Sequence, residues 1–196
     1  MYKDSAWFFA TLDLPANPIL PDVLWPASVN RPSEIARHTD EILVPEVRDW
    51  IADIGLTVDF LLLWTWFRQP NNDEFYEIHS DGSIDTHHRF TAINWLVEGI
   101  STVEWYSFEG GSPKHKTYKS DTFPLTEWIY QEKPKNLAQW TGDKPALLNI
   151  EQPHQVKVWG DGTIPRRSVT IRFVPNLPFV DMLKLCGNRV RSININ

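Results

Sequence analysis

The sequence predicts a mainly β domain of sandwich or jelly-roll type with flanking helices. Three observations carry that expectation. Short runs rich in β-branched and aromatic residues recur at even spacing, each bounded by turn residues. Ten Trp and fifteen Pro in 196 residues bias the chain toward strands and the loops between them. Helical periodicity is confined to two brief segments.

Taken in order, the first ~30 residues hold Pro15, Pro18, Pro21 and Pro26, with Pro32 just beyond, and are expected to run extended over the surface. Pro45 suits the first turn of a helix over 44–54. There Val47, Trp50, Ile51 and Ile54 form one apolar stripe, and Gly55 ends it. Thr57 to Phe67 is near-continuously apolar, the mark of a central strand. A short strand over 75–79 runs into the turn at Asp81-Gly82. Further strands are expected over 90–97 and 102–108, parted by Glu98-Gly99, and Gly110-Gly111-Ser112-Pro113 reads as a turn. A long insertion fills 110–145. Strands over 146–150, 155–159 and 168–174 follow, with Gly160-Asp161-Gly162 as a tight turn between the last two. A helix over 179–186, stopped at Gly187-Asn188, closes the chain. The expected organisation is one domain over 1–196: a buttress over 1–56, a β core over 57–175, and a helix and tail over 176–196.

Composition narrows the function classes. With 42% hydrophobic and 22% charged residues the chain has the balance of a globular protein. A net charge of −6 argues against a basic nucleic-acid footprint. The lone Cys186 excludes an internal disulfide, fits a reducing cytoplasm, and reads as a buried small hydrophobe. The opening residues lack a basic stretch followed by an apolar one, so no signal peptide is expected. No apolar run reaches membrane-spanning length.

The chemistry lies in His79, Asp81, His154 and Arg166. Side chains at i and i+2 of a strand share a face, so His79 and Asp81 at a strand end address one spot. An ordinary surface His beside a turn-capping Asp is the other reading. His154, 75 residues on, shares its strand face with Val156 and Val158, as a hydrogen-bonded core His also would. Two imidazoles and one carboxylate form a facial triad that leaves coordination positions open on non-haem iron(II). Twelve residues beyond His154, Arg166, Ser168, Thr170 and Arg172 share one strand face, and Val169, Ile171 and Phe173 share the other. That parity points Arg166, not Arg167, inward, where a planar fork suits a carboxylate. A half-exposed strand would show the same pattern. His87 and His88 read as loop residues, and His38 and His115 have no partner at ligand spacing. Trp64, Trp66, Trp95 and Trp105 are candidates for pocket walls, with core packing as the other reading.

These segments resemble a known superfamily. Phe75-Tyr76-Glu77-Ile78-His79-Ser80-Asp81-Gly82 looks like the F-Y-x-x-H-x-D segment of iron(II)/2-oxoglutarate-dependent dioxygenases. Pro153-His154-Gln155-Val156 resembles the distal P-H-x-V segment of those enzymes, and Arg166-Arg167-Ser168-Val169-Thr170-Ile171 their R-x-S closing strand. Phe90 to Leu96, with Val103-Glu104-Trp105-Tyr106, is similar to the middle strands of small bacterial and phage oxygenase-like proteins. The resemblance covers roughly residues 57–175. It implies a double-stranded β-helix (jelly roll). It implies that His79, Asp81 and His154 hold Fe(II), and that Arg166 and Ser168 bind the distal carboxylate of 2-oxoglutarate. Tyr76 matches a tyrosine that contacts the cosubstrate in some members, and Asn94 is assigned to the same site. Arg166 and Arg172 reproduce the R-x5-R spacing of the nucleic-acid demethylase branch, in which the second Arg pairs with the aspartate ligand. The acidic charge and the 12-residue step to Arg166 fit hydroxylase branches better. Asp81 separates the chain from halogenases, which lack that carboxylate.

The function expected is therefore a cytoplasmic 2-oxoglutarate-dependent hydroxylase. It would couple oxidative decarboxylation of its cosubstrate, with O2, to C–H oxidation of a small molecule or protein side chain. A demethylase-type member, a jelly-roll binding or structural protein without turnover, and a metal cupin that uses no 2-oxoglutarate are the alternatives.

Overall fold

Most of the described apolar residues lie in two antiparallel sheets and two short helices. The computed structural model describes residues 3–26, 33–66, 78–83, 87–88, 90–117, 124–160 and 163–195. In chain order these form β1 (Trp7–Leu12), β2 (Ser33–His38), α1 (Pro45–Asp53), β3 (Thr57–Trp66), β4 (His79–Ser83), β5 (His87–His88), β6 (Thr91–Glu98) and β7 (Ile100–Tyr106). After them come β8 (Gly111–Thr117), β9 (Pro124–Tyr130), β10 (Asn136–Trp140), β11 (Ala146–Asn149), β12 (His154–Trp159), β13 (Arg166–Val174), α2 (Phe179–Cys186) and β14 (Val190–Ile195). Among the described residues one sheet runs β14-β1-β11-β6-β13-β3-β2. The other runs β10-β7-β12-β4-β9-β8, with β5 paired to β4.

The central strands of the first sheet are buried on both faces: β3 reads as a near-continuous apolar run, while β13 alternates polar and apolar residues and is buried along nearly its whole length. Leu61, Leu63, Ile93, Trp95, Val169, Ile171 and Phe173 pack on one side against Val47, Trp50 and Ile51 of α1 and Phe179, Met182 and Cys186 of α2. Pro45 occupies the start of α1 as expected, and Gly55, just past its end, has φ +77°. The other side of the sheet faces its partner. There Phe8, Ala92, Val103, Trp105, Trp140, Ala146, Leu148 and Ile150 make a second apolar core. Burying a side chain such as Leu148 fully contributes about 1.5–3 kcal/mol, so both layers are firmly held.

Several sequence expectations are corrected. The first ~30 residues are not an extended surface run. Trp7–Leu12 pairs with β11 and β14, and Phe8, Ala10 and Leu12 are fully buried. The supposed tail beyond 176 supplies β14. Gly111, Ser112 and Pro113 do not make a turn but open β8, an edge strand where a missing Pro N–H is tolerated. The 110–145 insertion is β8, β9 and β10, which extend the second sheet. His87 and His88 pair with Ser83 and Gly82 and are not loop residues. Of the expected short strand over 75–79, residues 75–77 lie outside the described residues, as does Asp161-Gly162 of the turn at 160–162; the strand that is described begins at His79. No helix among the described residues is long and apolar enough to cross a membrane.

Candidate metal centre

His79 and His154 meet because β4 and β12 are neighbours in the second sheet, and these two residues are directly opposite one another. Directly opposed residues of an antiparallel pair point to the same face. Asp81, two residues along β4, points to that face as well. The imidazole centroids lie 4.5 Å apart, and Asp81 Oδ1 is 3.5 Å from His79 Nε2 and 4.0 Å from His154 Nε2. All three candidate ligand atoms fall within 4.8 Å of one another. Ser80, between the ligands, points the opposite way and accepts a hydrogen bond from Trp128 Nε1 at 2.8 Å. Thr126 Oγ1 bonds the Gly82 carbonyl, so β9 fixes this short strand from behind.

The electrostatics fix the charge states of Asp81 and His154. Burial alone would raise the Asp81 carboxyl. The Arg172 guanidinium, the hydrogen bond with His79 and the two imidazoles outweigh it and hold the group well below the usual carboxylate range. Arg172 Nη2 bonds Asp81 Oδ2, and Arg172 Nη1 reaches the Thr91 carbonyl at 3.3 Å. Oδ2 is thus engaged, and Oδ1 is the oxygen that faces both imidazoles. His154 is pushed down to about 4, first by burial and then by the neighbouring His79; Asp81 pulls the other way. It is therefore a neutral imidazole near pH 7, the form that binds metal. Its Nδ1 lies 3.0 Å from the Gln152 carbonyl. A carbonyl only accepts, so Nδ1 carries the proton and Nε2 keeps a lone pair for the cluster.

Arg166 also enters the space between the sheets. Its Nε donates to Ser101 Oγ of β7 at 2.8 Å, and its guanidinium carbon sits 5.3 Å from the Trp66 ring centre. Arg167 points the other way, half-exposed, and pairs with Glu98 at 2.8 Å. The inward strand face of β13 therefore crosses to the second sheet twice, at Arg166–Ser101 and at Arg172–Asp81. Buried Ser168 and Thr170 lie between these bridges. Asn94 stands beside Thr170 in register, and its Oδ1 is buried without a hydrogen-bond partner. A sandwich interior lined by two arginines, two hydroxyls and an amide oxygen without a donor is unusually polar for packing alone.

The remaining expected site residues divide. Tyr76 lies outside the described residues. Trp66 flanks Arg166, 5.6 Å from Trp64. Trp95 is no pocket wall: it packs with the helices and donates its N–H to the Pro15 carbonyl. Trp105 opposes His154 but is stacked on Phe9 within the apolar core. Cys186 is buried, and burial pushes its thiol up to about 12. Two contacts at this site escaped sequence reasoning. Ser101 fell just before the expected strand start at 102, although it shares parity with Val103 and Trp105. Gln152 lies in a bend, where periodicity gives no signal.

No family model and no curated protein matches the chain. Among solved structures it is similar to the crystal structure of vicilin from Corylus avellana (hazelnut), at 10% identity and a TM-score of 0.35. That likeness covers 86% of this chain and 45% of the vicilin chain, so this chain spans less than half of its length. A similarity this distant leaves the assignment to the residues themselves.

Proposed function

We propose that this chain is an iron(II)- and 2-oxoglutarate-dependent dioxygenase of hydroxylase type, built on a double-stranded β-helix. The observation that supports this best is a two-His, one-carboxylate cluster on one sheet, bonded by Arg172 of β13, with a second buried arginine, Arg166, on the same inward face of β13. A metal-binding β-sandwich with no carboxylate-bearing cosubstrate has no need of Arg166 and Ser168 in its interior.

The donor set fits a divalent first-row metal: two neutral nitrogens and one ionised oxygen, with the rest of the coordination sphere left open. His79 Nε2, His154 Nε2 and Asp81 Oδ1 would hold the ion, and Arg172 restricts Asp81 to one ligand oxygen. Arg166 and Ser168 would hold the distal carboxylate, with Trp66 shielding that charge pair from water. Asn94 Oδ1 is an acceptor already buried and in want of a donor. When bound, iron and 2-oxoglutarate supply oxidation of a C–H bond by O2 with release of succinate and CO2; the protein supplies placement and a dry cleft.

Anaerobic titration with Fe(II) and then 2-oxoglutarate is the test, read by the weak visible charge-transfer band of the chelate. Absence of that band with both present, or of succinate once O2 is admitted with candidate substrates, counts against the proposal. The Arg172–Asp81 pair favours a second reading, the demethylase-type branch, and release of formaldehyde alongside succinate would select it.

A further inference from the structure

The segment ahead of β1 is tied to the candidate metal centre through a single buried glutamine. Gln152 is 1% exposed, and its carbonyl is the group that holds His154 Nδ1–H at 3.0 Å. Its side-chain amide is fully used. Oε1 accepts the Ser5 backbone N–H at 2.9 Å, and Nε2 donates to the Tyr106 carbonyl at 2.6 Å and to Asp4 Oδ1 at 3.3 Å. The reverse amide orientation would set Oε1 against a carbonyl and a carboxylate, so only one orientation satisfies it. Asp4 is itself anchored: Oδ1 accepts from the Phe108 N–H at 2.8 Å and Oδ2 from Ser107 Oγ at 2.7 Å. On the far side, the Pro153 carbonyl accepts the Tyr106 N–H at 2.8 Å. The bend over 151–153 is thereby gripped on both sides of the carbonyl that sets the His154 tautomer and ring direction.

We propose that Gln152 is a positioning residue for His154, and that Asp4 and Ser5 clasp it, so that docking of the segment before β1 sets metal affinity at a centre whose residues are distant from it in sequence. The inference rests on the proposal that His79, Asp81 and His154 bind a metal. Partners that orient a ligating histidine typically change metal affinity 10- to 100-fold without touching the ion.

The test is a titration of Co(II) into the full chain, followed by the visible d–d absorption, with unfolding midpoints of the metal-free protein taken in parallel. Gln152→Ala should weaken Co(II) binding by about 10-fold or more. Asp4→Ala should weaken it in the same direction by less. Asp4→Asn keeps the oxygen that accepts from both Phe108 and Gln152, and should restore most of the affinity. Should Gln152→Ala fail to fold, the two Asp4 variants decide alone. Unchanged Co(II) affinity in the alanine variants, with only lowered unfolding midpoints, overturns the inference and leaves the clasp a stabilising device. Failure of the wild-type chain to bind Co(II) overturns the metal assignment beneath it.

Discussion

Replacing Arg172 by Leu should cost far more than removal of an ordinary surface charge. Arg172 is nine-tenths buried, and its two outer nitrogens serve Asp81 Oδ2 and the Thr91 carbonyl. Leu leaves a largely buried carboxylate without its cation, a change worth about 3–5 kcal/mol. The Asp81 side chain retains 22% exposure, which puts the expected loss near the lower bound, about 3 kcal/mol. For a chain of this length that lowers the thermal midpoint by about 6–12 °C, at roughly 2–4 °C per kcal/mol. Urea unfolding of the metal-free protein, followed by fluorescence of its ten Trp, measures it. Asp81→Asn combined with Arg172→Leu should be much less damaging than the two separate losses added, because no charge is left stranded. The acid limb supplies an independent check. The folded-state Asp81 carboxyl lies below its unfolded value of ~3.9, so its contribution is present above that pH and is lost as pH falls toward the folded value. Arg172→Leu should flatten that limb. A loss under about 1 kcal/mol with no coupling in the double variant would make the pair an ordinary screened ion pair and refute the reasoning.

Three further outcomes are expected. Arg166→Ala should raise the 2-oxoglutarate dissociation constant of the metal-loaded protein by roughly 30- to 5000-fold, from a loss of about 2–5 kcal/mol, while Arg167→Ala changes it little; equal effects would contradict the strand parity. His154 is held at about 4 when folded and titrates near 6.5 when unfolded, so the unfolded chain takes the proton first as pH falls. Between pH 7 and 4 that removes about 3 kcal/mol from the metal-free protein, a loss that should be missing in His154→Gln when urea midpoints are compared across this range. Gly99 has φ +81°, and a Cβ there would lie 2.7 Å from the Pro165 carbonyl oxygen and 2.9 Å from Arg166 Cα. Gly99→Ala should therefore destabilise by at least about 1–2 kcal/mol and weaken 2-oxoglutarate binding, with metal affinity nearly unchanged in the same titrations.

The His79–Asp81–His154 cluster was legible because strand parity is a strict rule. His79 and Asp81 had to share a face, and alternation along 166–173 separated Arg166 from Arg167 before any fold was known. What sequence could not supply was the identity of neighbours. Nothing local in Gln152 reveals that its carbonyl serves His154, since its partners lie at residues 4, 5 and 106. β8 carries a Gly, a Pro and two Lys, and it is a strand because β9 pairs with it along its whole length, not by propensity. β1 was obscured by the prolines that follow it, although its own WFFATL run has β character. Ser101 was lost to a two-residue error in a strand start, the part of any such reading with the weakest local signal.

The pairing of β4 with β12 has a kinetic consequence. Their register consists of one residue pair, His79 opposite His154, joining positions 75 apart in the sequence. Closing so long a loop carries its entropic cost before the contact returns anything, so this seam belongs among the late events of folding. A metal bound across it would tighten a contact expected to form after the folding transition state. Such contacts slow unfolding and leave the folding rate nearly alone. The ion would then act as a latch on the finished domain, lengthening its lifetime without guiding the chain toward it.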